Sequence, residues 1–156
     1  MLMKPLVFKN IEEFKEMIGK KLPTSEWIPV TQQMIDNFAE ATQDRQWVHV
    51  DVERAKKESP FKTTIAHGFM SVALLSKMLE DLIQVKSIVL GLNYGLNYVR
   101  FMNPVPVNSR LRLKSIVKNI EDHKHGVKVT FSCTVEIENQ EKPACVAEFL
   151  TLLFER

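Results

Sequence analysis

An aspartate and a histidine that could act as an acid/base pair stand five residues apart, at Asp44 and His49. A histidine titrates near neutral pH, and a neighbouring carboxylate can orient its ring. Residues 43–49 are expected to form a loop after a helix, where the two side-chain tips could converge on one water molecule. A helix-capping aspartate and a surface histidine are the commoner explanation of such residues. The residue types alone leave both interpretations open.

Gly68 stands at the start of a strongly apolar run, where a buried helix is predicted to begin. A glycine at that point leaves backbone N–H groups unhindered, beside the positive end of the helix dipole. Such groups can stabilise a developing oxyanion, for example the enolate of a thioester carbonyl. Alternatively, Gly68 only allows a tight entry into the helix, and the sequence favours neither interpretation.

Capping residues define the helices that precede this run. Asn10, with Glu13 three residues later, predicts the start of a first helix that stops at Gly19. Thr31 is predicted to cap a second helix, which runs up to the segment that contains the candidate pair. Asp51 is predicted to cap a short polar helix that follows this segment.

The apolar run and the strands after it define the fold class. Residues 68–75 are apolar except for Ser71, which predicts a helix that is buried on all sides at its start and surfaces toward its end. Four long segments after residue 87 alternate between apolar and polar side chains or are apolar throughout, as strands do. The last of them, 146–154, is apolar on both faces and is predicted to lie inside the sheet. The pattern indicates an α+β domain whose antiparallel sheet wraps one long central helix.

The chain as a whole excludes several classes of protein. Its 156 residues suit a single domain, 1–156, and its net charge of +2, scattered along the chain, does not indicate nucleic acid. No membrane span or signal peptide is expected, since no apolar run approaches about 18 residues and the start, MLMKPLV, has no long apolar core. Cys133 and Cys145 lack the spacing of a metal site and the density of a disulfide scaffold. A reduced, cytoplasmic compartment is therefore expected.

Two stretches of the chain carry a resemblance to a known family. Residues 38–51 read FAEATQDRQWVHVD and residues 65–69 read IAHGF. They resemble the MaoC-like, (R)-specific enoyl-CoA hydratases, which have the motif G-D-x-N-P-[LIV]-H and an A-H-G or V-H-G element that opens the central helix. The resemblance implies the hot-dog fold, with Asp44 and His49 as catalytic residues and Gly68 at the oxyanion position. It also implies that Ser76, eight residues beyond Gly68, helps to hold the catalytic aspartate.

The motif differs from the family pattern at its glycine and at its Asn-Pro pair. Gln43 replaces the glycine, and Gln46 and Trp47 replace Asn-Pro. The form Q-W-[IV]-H is similar to the nodulation protein N-like branch of the family. Because Gln43 lacks the freedom of glycine at positive φ, the loop backbone is expected to be held differently.

The resemblance implies a syn addition of water to a trans-2-enoyl thioester, or the reverse reaction. Asp44 and His49 would hold the water, and the Gly68 N–H would polarise the thioester carbonyl. The substrate would be a thioester of coenzyme A or of acyl carrier protein, with no metal or other cofactor. Hot-dog domains usually pair through their sheets, and the long strands here carry few edge-blocking charges, so a homodimer is expected.

Two alternatives keep the same fold. A hot-dog thioesterase would need an activating carboxylate on or beside the central helix, and Glu80 and Asp81 lie too far along that helix to approach Gly68. A non-catalytic acyl-thioester-binding or partner protein would not need the Asp44 and His49 pair.

Overall fold

The computed structural model describes residues 4–156 and consists of a curled sheet, a central helix and short flanking elements. Residues 1–3, part of the segment considered for a signal peptide, lie outside the described residues. In chain order the elements are β1 (Leu6–Phe8), α1 (Ile11–Lys15), β2 (Ile28–Pro29), α2 (Gln32–Thr42), α3 (Trp47–Val50), α4 (Val52–Glu58), α5 (Gly68–Leu82), β3 (Ile83–Val85), β4 (Ile88–Phe101), β5 (Arg110–His123), β6 (Gly126–Ile137) and β7 (Cys145–Glu155).

The main sheet has five antiparallel strands in the order β2-β5-β6-β7-β4. The four long strands predicted from the sequence are β4 to β7, and β7 lies inside the sheet between β6 and β4, as its apolar faces indicated. A small parallel pair, β1 with β3, stands apart from this sheet. Among residues 4–156, β4 has no neighbouring strand on its outer side.

Helix α5 packs against the concave face of the sheet with one side only. Its buried residues are Met70, Ser71, Leu75, Met78, Leu79 and Leu82. All of them except Ser71 join the inward-facing residues of β5, β6 and β7 in one apolar core. The prediction that the start of this helix is buried on all sides is wrong for the single chain, because Phe69 is 65% exposed and Ala73 is also exposed. The sheet covers only the side of the helix that faces it.

The predicted helix starts are confirmed by their hydrogen bonds. The side chains of Asn10, Thr31 and Asp51 accept hydrogen bonds from the backbone N–H groups of Glu13, Met34 and Arg54. These bonds satisfy N–H groups that have no partner inside a helix. The first helix is shorter than predicted, since α1 ends at Lys15 and turns continue to Gly19. Among residues 4–156, no helix is both long enough and apolar enough to span a bilayer.

The segment between α2 and α4 differs from the expected loop. Residues 43–46 are irregular, but Trp47–Val50 form a single helical turn, α3, in place of the rest of the expected loop. Its hydrogen bonds run from the His49 N–H to the Gln46 carbonyl and from the Asp51 N–H to the Trp47 carbonyl. The expectation that Gln43 changes the backbone is also wrong, since Gln43 takes the left-handed conformation, with φ 63° and ψ 12°, that a glycine adopts easily.

Candidate active site

Helix α3 places His49 with one ring nitrogen bound and the other available. The residue is 8% exposed. Its Nδ1 lies 2.7 Å from the carbonyl oxygen of Ile65, and because a carbonyl only accepts, Nδ1 carries the hydrogen and donates it. In the neutral ring, Nε2 then has a free lone pair. The Ile65 carbonyl therefore sets the tautomer of His49 and leaves Nε2 as a proton acceptor.

Burial keeps His49 neutral over a wider pH range than an exposed histidine. Desolvation lowers the pKa of His49 below its ordinary value of 6.5, and the nearby His67 lowers it further. The hydrogen bond to Ile65 and the carboxylate of Asp44 act in the opposite direction. Because desolvation is the largest contribution, the neutral, proton-accepting form is favoured.

Asp44 lies next to His49 in space, on the irregular segment that begins at Gln43. A carboxylate oxygen of Asp44 is within 4.8 Å of a ring nitrogen of His49. A water molecule that hydrogen-bonds to two groups at about 2.8 Å each spans about 4.5 Å between them. The gap between Asp44 and His49 therefore suits one shared water molecule. The carboxylate remains accessible, with 57% of the Asp44 side chain exposed.

His67 completes a group of three potential metal ligands with Asp44 and His49, in which one atom of each lies within 4.8 Å of the others. The rings of His49 and His67 are stacked, with centroids 3.8 Å apart and planes inclined by 23°. The lone pairs of an imidazole lie in the ring plane, so two stacked rings direct them along nearly parallel lines. A metal at about 2.0–2.1 Å from both nitrogens would lie far out of both planes. The arrangement does not suit a shared metal ion.

Gly68 is the first residue of α5, so its N–H has no acceptor inside the helix. The N–H lies at the positive end of a 15-residue helix, where a developing negative charge is stabilised. A Cβ on Gly68 would lie 3.0 Å from Cγ of Phe101, so the Phe101 ring would have to shift by a few tenths of an ångström. Its φ is not in the left-handed range, so the close approach of the Phe101 ring, not backbone strain, disfavours a side chain here.

A cavity of about 300 Å³ brings His49 and Gly68 together. Its lining also includes Ser71, one turn along α5 from Gly68, and Phe101 from the end of β4. Ser71 is only 2% exposed, so its hydroxyl is a buried polar group beside this cavity. Ser71 was not predicted as a site residue, although it is the one polar residue in the apolar run 68–75 and could have been singled out for that reason.

Ser76 does not reach the candidate pair within one chain. Its hydroxyl donates to Oδ1 of Asn93 on β4 at 2.9 Å. Eight helical residues separate it from Gly68, which is a rise of about 12 Å. Asp44 instead receives a long hydrogen bond from the Gln46 N–H, at 3.4 Å. The structure thus places Asp44 beside His49, and His49 lines one cavity with Gly68, whereas Ser76 stands apart from them.

The carboxylates of α5 stand far from this cavity. The only two, Glu80 and Asp81, are exposed in the last turn of the helix, and Asp81 is paired with Lys77. No carboxylate on the helix therefore approaches Gly68. The site is a histidine and a carboxylate that can share a water molecule, beside an N–H suited to an oxyanion.

Comparison with known proteins agrees with this fold. The model of the MaoC-like domain matches residues 13–139, which is more than half of the chain. The chain therefore belongs to the MaoC-like domain family, as the resemblance predicted.

Two curated relatives match over nearly the whole chain. The 3-hydroxyacyl-thioester dehydratase Z of Mycobacterium tuberculosis (strain ATCC 25618 / H37Rv) is 49% identical over 142 residues, covering 90% of this chain and 93% of that protein. Nodulation protein N of Rhizobium leguminosarum bv. viciae is 43% identical over 146 residues, covering 92% of this chain and 91% of that protein. The similarity to the nodulation protein N-like branch is thus confirmed.

Solved structures confirm the hot-dog fold. The monoamine oxidase regulatory protein from Archaeoglobus fulgius superposes with a TM-score of 0.74 at 24% identity, over 99% of both chains. The R-hydratase PhaJ1 from Pseudomonas aeruginosa superposes with a TM-score of 0.72 at 24% identity, over 89% of this chain and 83% of that chain.

Proposed function

We propose that the protein interconverts trans-2-enoyl and (R)-3-hydroxyacyl thioesters by adding or removing water, with the acyl group carried by coenzyme A or acyl carrier protein. The names of the relatives support this class of reaction. The observation that carries the proposal is the gap of at most 4.8 Å between the Asp44 carboxylate and a His49 ring nitrogen. It suits one water molecule, beside the cavity that also reaches Gly68.

The proposed step uses these groups together. The water held by Asp44 and His49 loses a proton to one of them as its oxygen bonds to Cβ of the enoyl group. The electron pair of the C=C bond moves toward the thioester carbonyl, and the Gly68 N–H stabilises the enolate oxygen. A proton from the same pair of side chains then forms the Cα–H bond. Dehydration is the same sequence in reverse, and neither direction consumes an oxidant or a reductant.

The contributions of these groups are large enough to detect one by one. General acid–base assistance is worth about 10²–10⁴-fold in rate, and one oxyanion donor about 10²–10³-fold. A hot-dog thioesterase is not favoured, because neither carboxylate of α5 lies near Gly68. A non-catalytic acyl-binding protein would leave the Asp44 and His49 pair without a role.

The test is the loss of enoyl absorbance when purified protein is mixed with short enoyl thioesters of coenzyme A and of acyl carrier protein. Asp44→Asn and His49→Ala should each lower kcat by about 10²-fold or more. Asp122→Asn and His123→Ala are matched controls, since both residues are exposed at the far end of β5. Full activity in both site variants would rule out the pair. No turnover of any thioester by the unaltered protein would favour the binding alternative.

The remaining parts of the proposal concern the chain as a whole. The chain acts as one MaoC-like domain, 1–156, which is supported by an apolar core that joins residues from α1 through β7. A cytoplasmic location is supported by Cys133 and Cys145, two free buried thiols. Ser76 keeps its predicted role only if a contact outside the single chain brings it to an aspartate, because its own hydrogen bond goes to Asn93.

The protein is also proposed to be a homodimer that pairs along β4. Strand β4 has no outer neighbour within residues 4–156, and large apolar side chains are exposed along it. They include Val89, Leu90, Leu92, Tyr94, Tyr98 and Phe101, which are 43–54% exposed. The outward face of β5 and β6 is different, since ion pairs such as Arg112 with Glu136 cover it. A long unpaired apolar edge favours association with a second copy.

A further inference from the structure

His67 lies under the candidate site and contacts both members of the pair. It is the last residue before α5 and is 4% exposed. One face of its ring stacks on His49, and Phe38 packs against the ring with centroids 5.0 Å apart. His67 gives α5 no side-chain cap, so its position is not explained by helix capping.

A hydrogen bond connects the His67 ring to the main chain of Asp44. Nε2 of His67 lies 2.9 Å from the Asp44 carbonyl oxygen, and because that oxygen only accepts, Nε2 carries the hydrogen and donates it. The buried Nδ1 has no hydrogen-bonding partner within residues 4–156. A hydrogen on Nε2 makes this bond, whereas a hydrogen on Nδ1 would be a buried N–H group without a partner among residues 4–156.

Asp44 lies in the irregular segment 43–46. The bond to His67 is shorter than the hydrogen bonds that Asp44 makes to residues close to it in sequence. The other hydrogen bonds of Asp44 are local and longer, at 3.3 Å from its N–H to the Thr42 hydroxyl and 3.4 Å from the Gln46 N–H to its carboxylate. The Asp44 side chain itself is 57% exposed. Among residues 4–156, His67 is the buried side chain to which Asp44 is hydrogen-bonded, and its Nε2 also lies 3.9 Å from Oδ2 of Asp44.

We propose that His67 is a positioning residue for the proposed reaction, which holds the Asp44 main chain through Nε2–H and supports the His49 ring by stacking. The bond joins the segment that carries Asp44 to the residue that immediately precedes Gly68. All three groups of the site are thereby tied to the start of α5. A displacement of about 1 Å in such a site can cost about 10²-fold in rate, so loss of this bond should be visible in kcat.

Three substitutions separate positioning from packing. The amide nitrogen of a glutamine can occupy the place of the histidine Nε2, whereas that of an asparagine reaches only the place of Nδ1. Phenylalanine keeps a ring between Phe38 and His49 and has no donor. His67→Phe and His67→Asn should lower kcat by about 10²-fold with KM little changed, and His67→Gln should retain most of kcat. Thermal unfolding of His67→Phe should stay close to that of the unaltered protein.

Either of two kinetic results would overturn the proposal: unaltered kcat in His67→Phe, or a loss in His67→Gln as large as in His67→Phe. The proposal rests on the proposed hydratase function, so a second measurement is independent of turnover. Nitrogen-15 NMR of the unaltered protein should show the His67 ring protonated at Nε2 and not at Nδ1. The Nδ1–H tautomer would remove the bond to Asp44. Absent turnover combined with the Nε2–H tautomer would reject the proposed function alone.

Discussion

At the residue scale, the two histidines of the site have different partners and therefore different tasks. Nδ1 of His49 donates to Ile65, which leaves Nε2 of this cavity-lining residue outside that bond. Nε2 of His67 donates to the Asp44 carbonyl, which leaves the buried Nδ1 without a partner among the described residues, 4–156. One ring can accept a proton from water, and the other can hold the neighbouring segment in place. Neither task follows from the residue type, because each depends on which ring nitrogen meets a carbonyl.

The lowered pKa of His49 predicts a specific dependence of stability on pH. An unfolded histidine titrates near 6.5, and the folded chain takes up that proton only at lower pH. Between the two pKa values the unfolded chain binds more protons, so the free energy of unfolding falls as the pH falls below about 6.5. His49→Asn can keep the hydrogen bond to Ile65 and cannot titrate. Urea unfolding at several pH values measures the free energy of unfolding. As the pH falls below about 6.5, this free energy should decrease more steeply in the unaltered protein than in His49→Asn. The same decrease in both proteins would contradict the lowered pKa of His49.

At the element scale, the segment between α2 and α4 determines how the candidate pair meets. Gln43 ends α2 in the left-handed conformation, and its side chain donates to the Glu40 carbonyl at 2.7 Å. The single turn of α3 then carries His49 inward. The sequence shows the type and spacing of these residues. It does not predict α3, because this helix has no side-chain cap. Its position depends on contacts with Ile65, which is distant in sequence.

Gln43→Gly should stabilise the protein by about 0.5 kcal/mol. A glycine adopts the left-handed conformation without the steric cost of about 1–2 kcal/mol that other residues have there. Two effects offset part of this gain. Glycine raises the conformational entropy of the unfolded chain, which costs about 0.5–1 kcal/mol, and the hydrogen bond from the Gln43 side chain is lost. Gln43→Ala keeps the penalty and loses the bond, so it should be less stable than the unaltered protein. Urea unfolding of the three proteins measures the order. A glycine variant less stable than the alanine variant would show that the backbone is not strained.

At the scale of the whole molecule, the apolar surface of one chain is incompletely covered. The start of α5 is apolar on several sides, yet Phe69 is 65% exposed and contacts Phe101 at the end of β4. Val72 and Ala73, on the same helix, line a second recess with Tyr94 of β4. The burial expected for this helix is therefore missing on the side of the free strand. A second copy seated along β4 would supply it.

The homodimer predicts a mass in solution of twice the 18.0 kDa of the chain. Leu90 and Tyr98 are exposed apolar residues on β4. The double variant Leu90→Lys/Tyr98→Lys would place two charges in the interface, so the dimer should dissociate into monomers. Ile18→Lys is the matched control, because Ile18 is 42% exposed and lies outside β4. Light scattering after size-exclusion chromatography distinguishes the species. A monomeric unaltered protein, or a double variant that remains dimeric, would contradict pairing along β4.

Structural features that depend on residues close together in the sequence could be predicted from the sequence alone. The caps at Asn10, Thr31 and Asp51 and the alternation of the long strands each rest on contacts within a few residues. Asp44, His49 and Gly68 were recognisable by their types, their spacing and the resemblance to the family. The expectation for Ser76 came from the resemblance alone, and it has no counterpart within the single chain.

The tertiary structure decided which groups of the site can act and in what form. Ile65 selects the free nitrogen of His49, the Phe101 ring crowds the position of a Cβ on Gly68, and His67 holds the Asp44 main chain. Burial, not sequence spacing, lowers the pKa of His49. Each of these effects depends on the distance and orientation of residues far apart in the chain. Local patterns carry no information on such distances until the sheet and α5 have packed together.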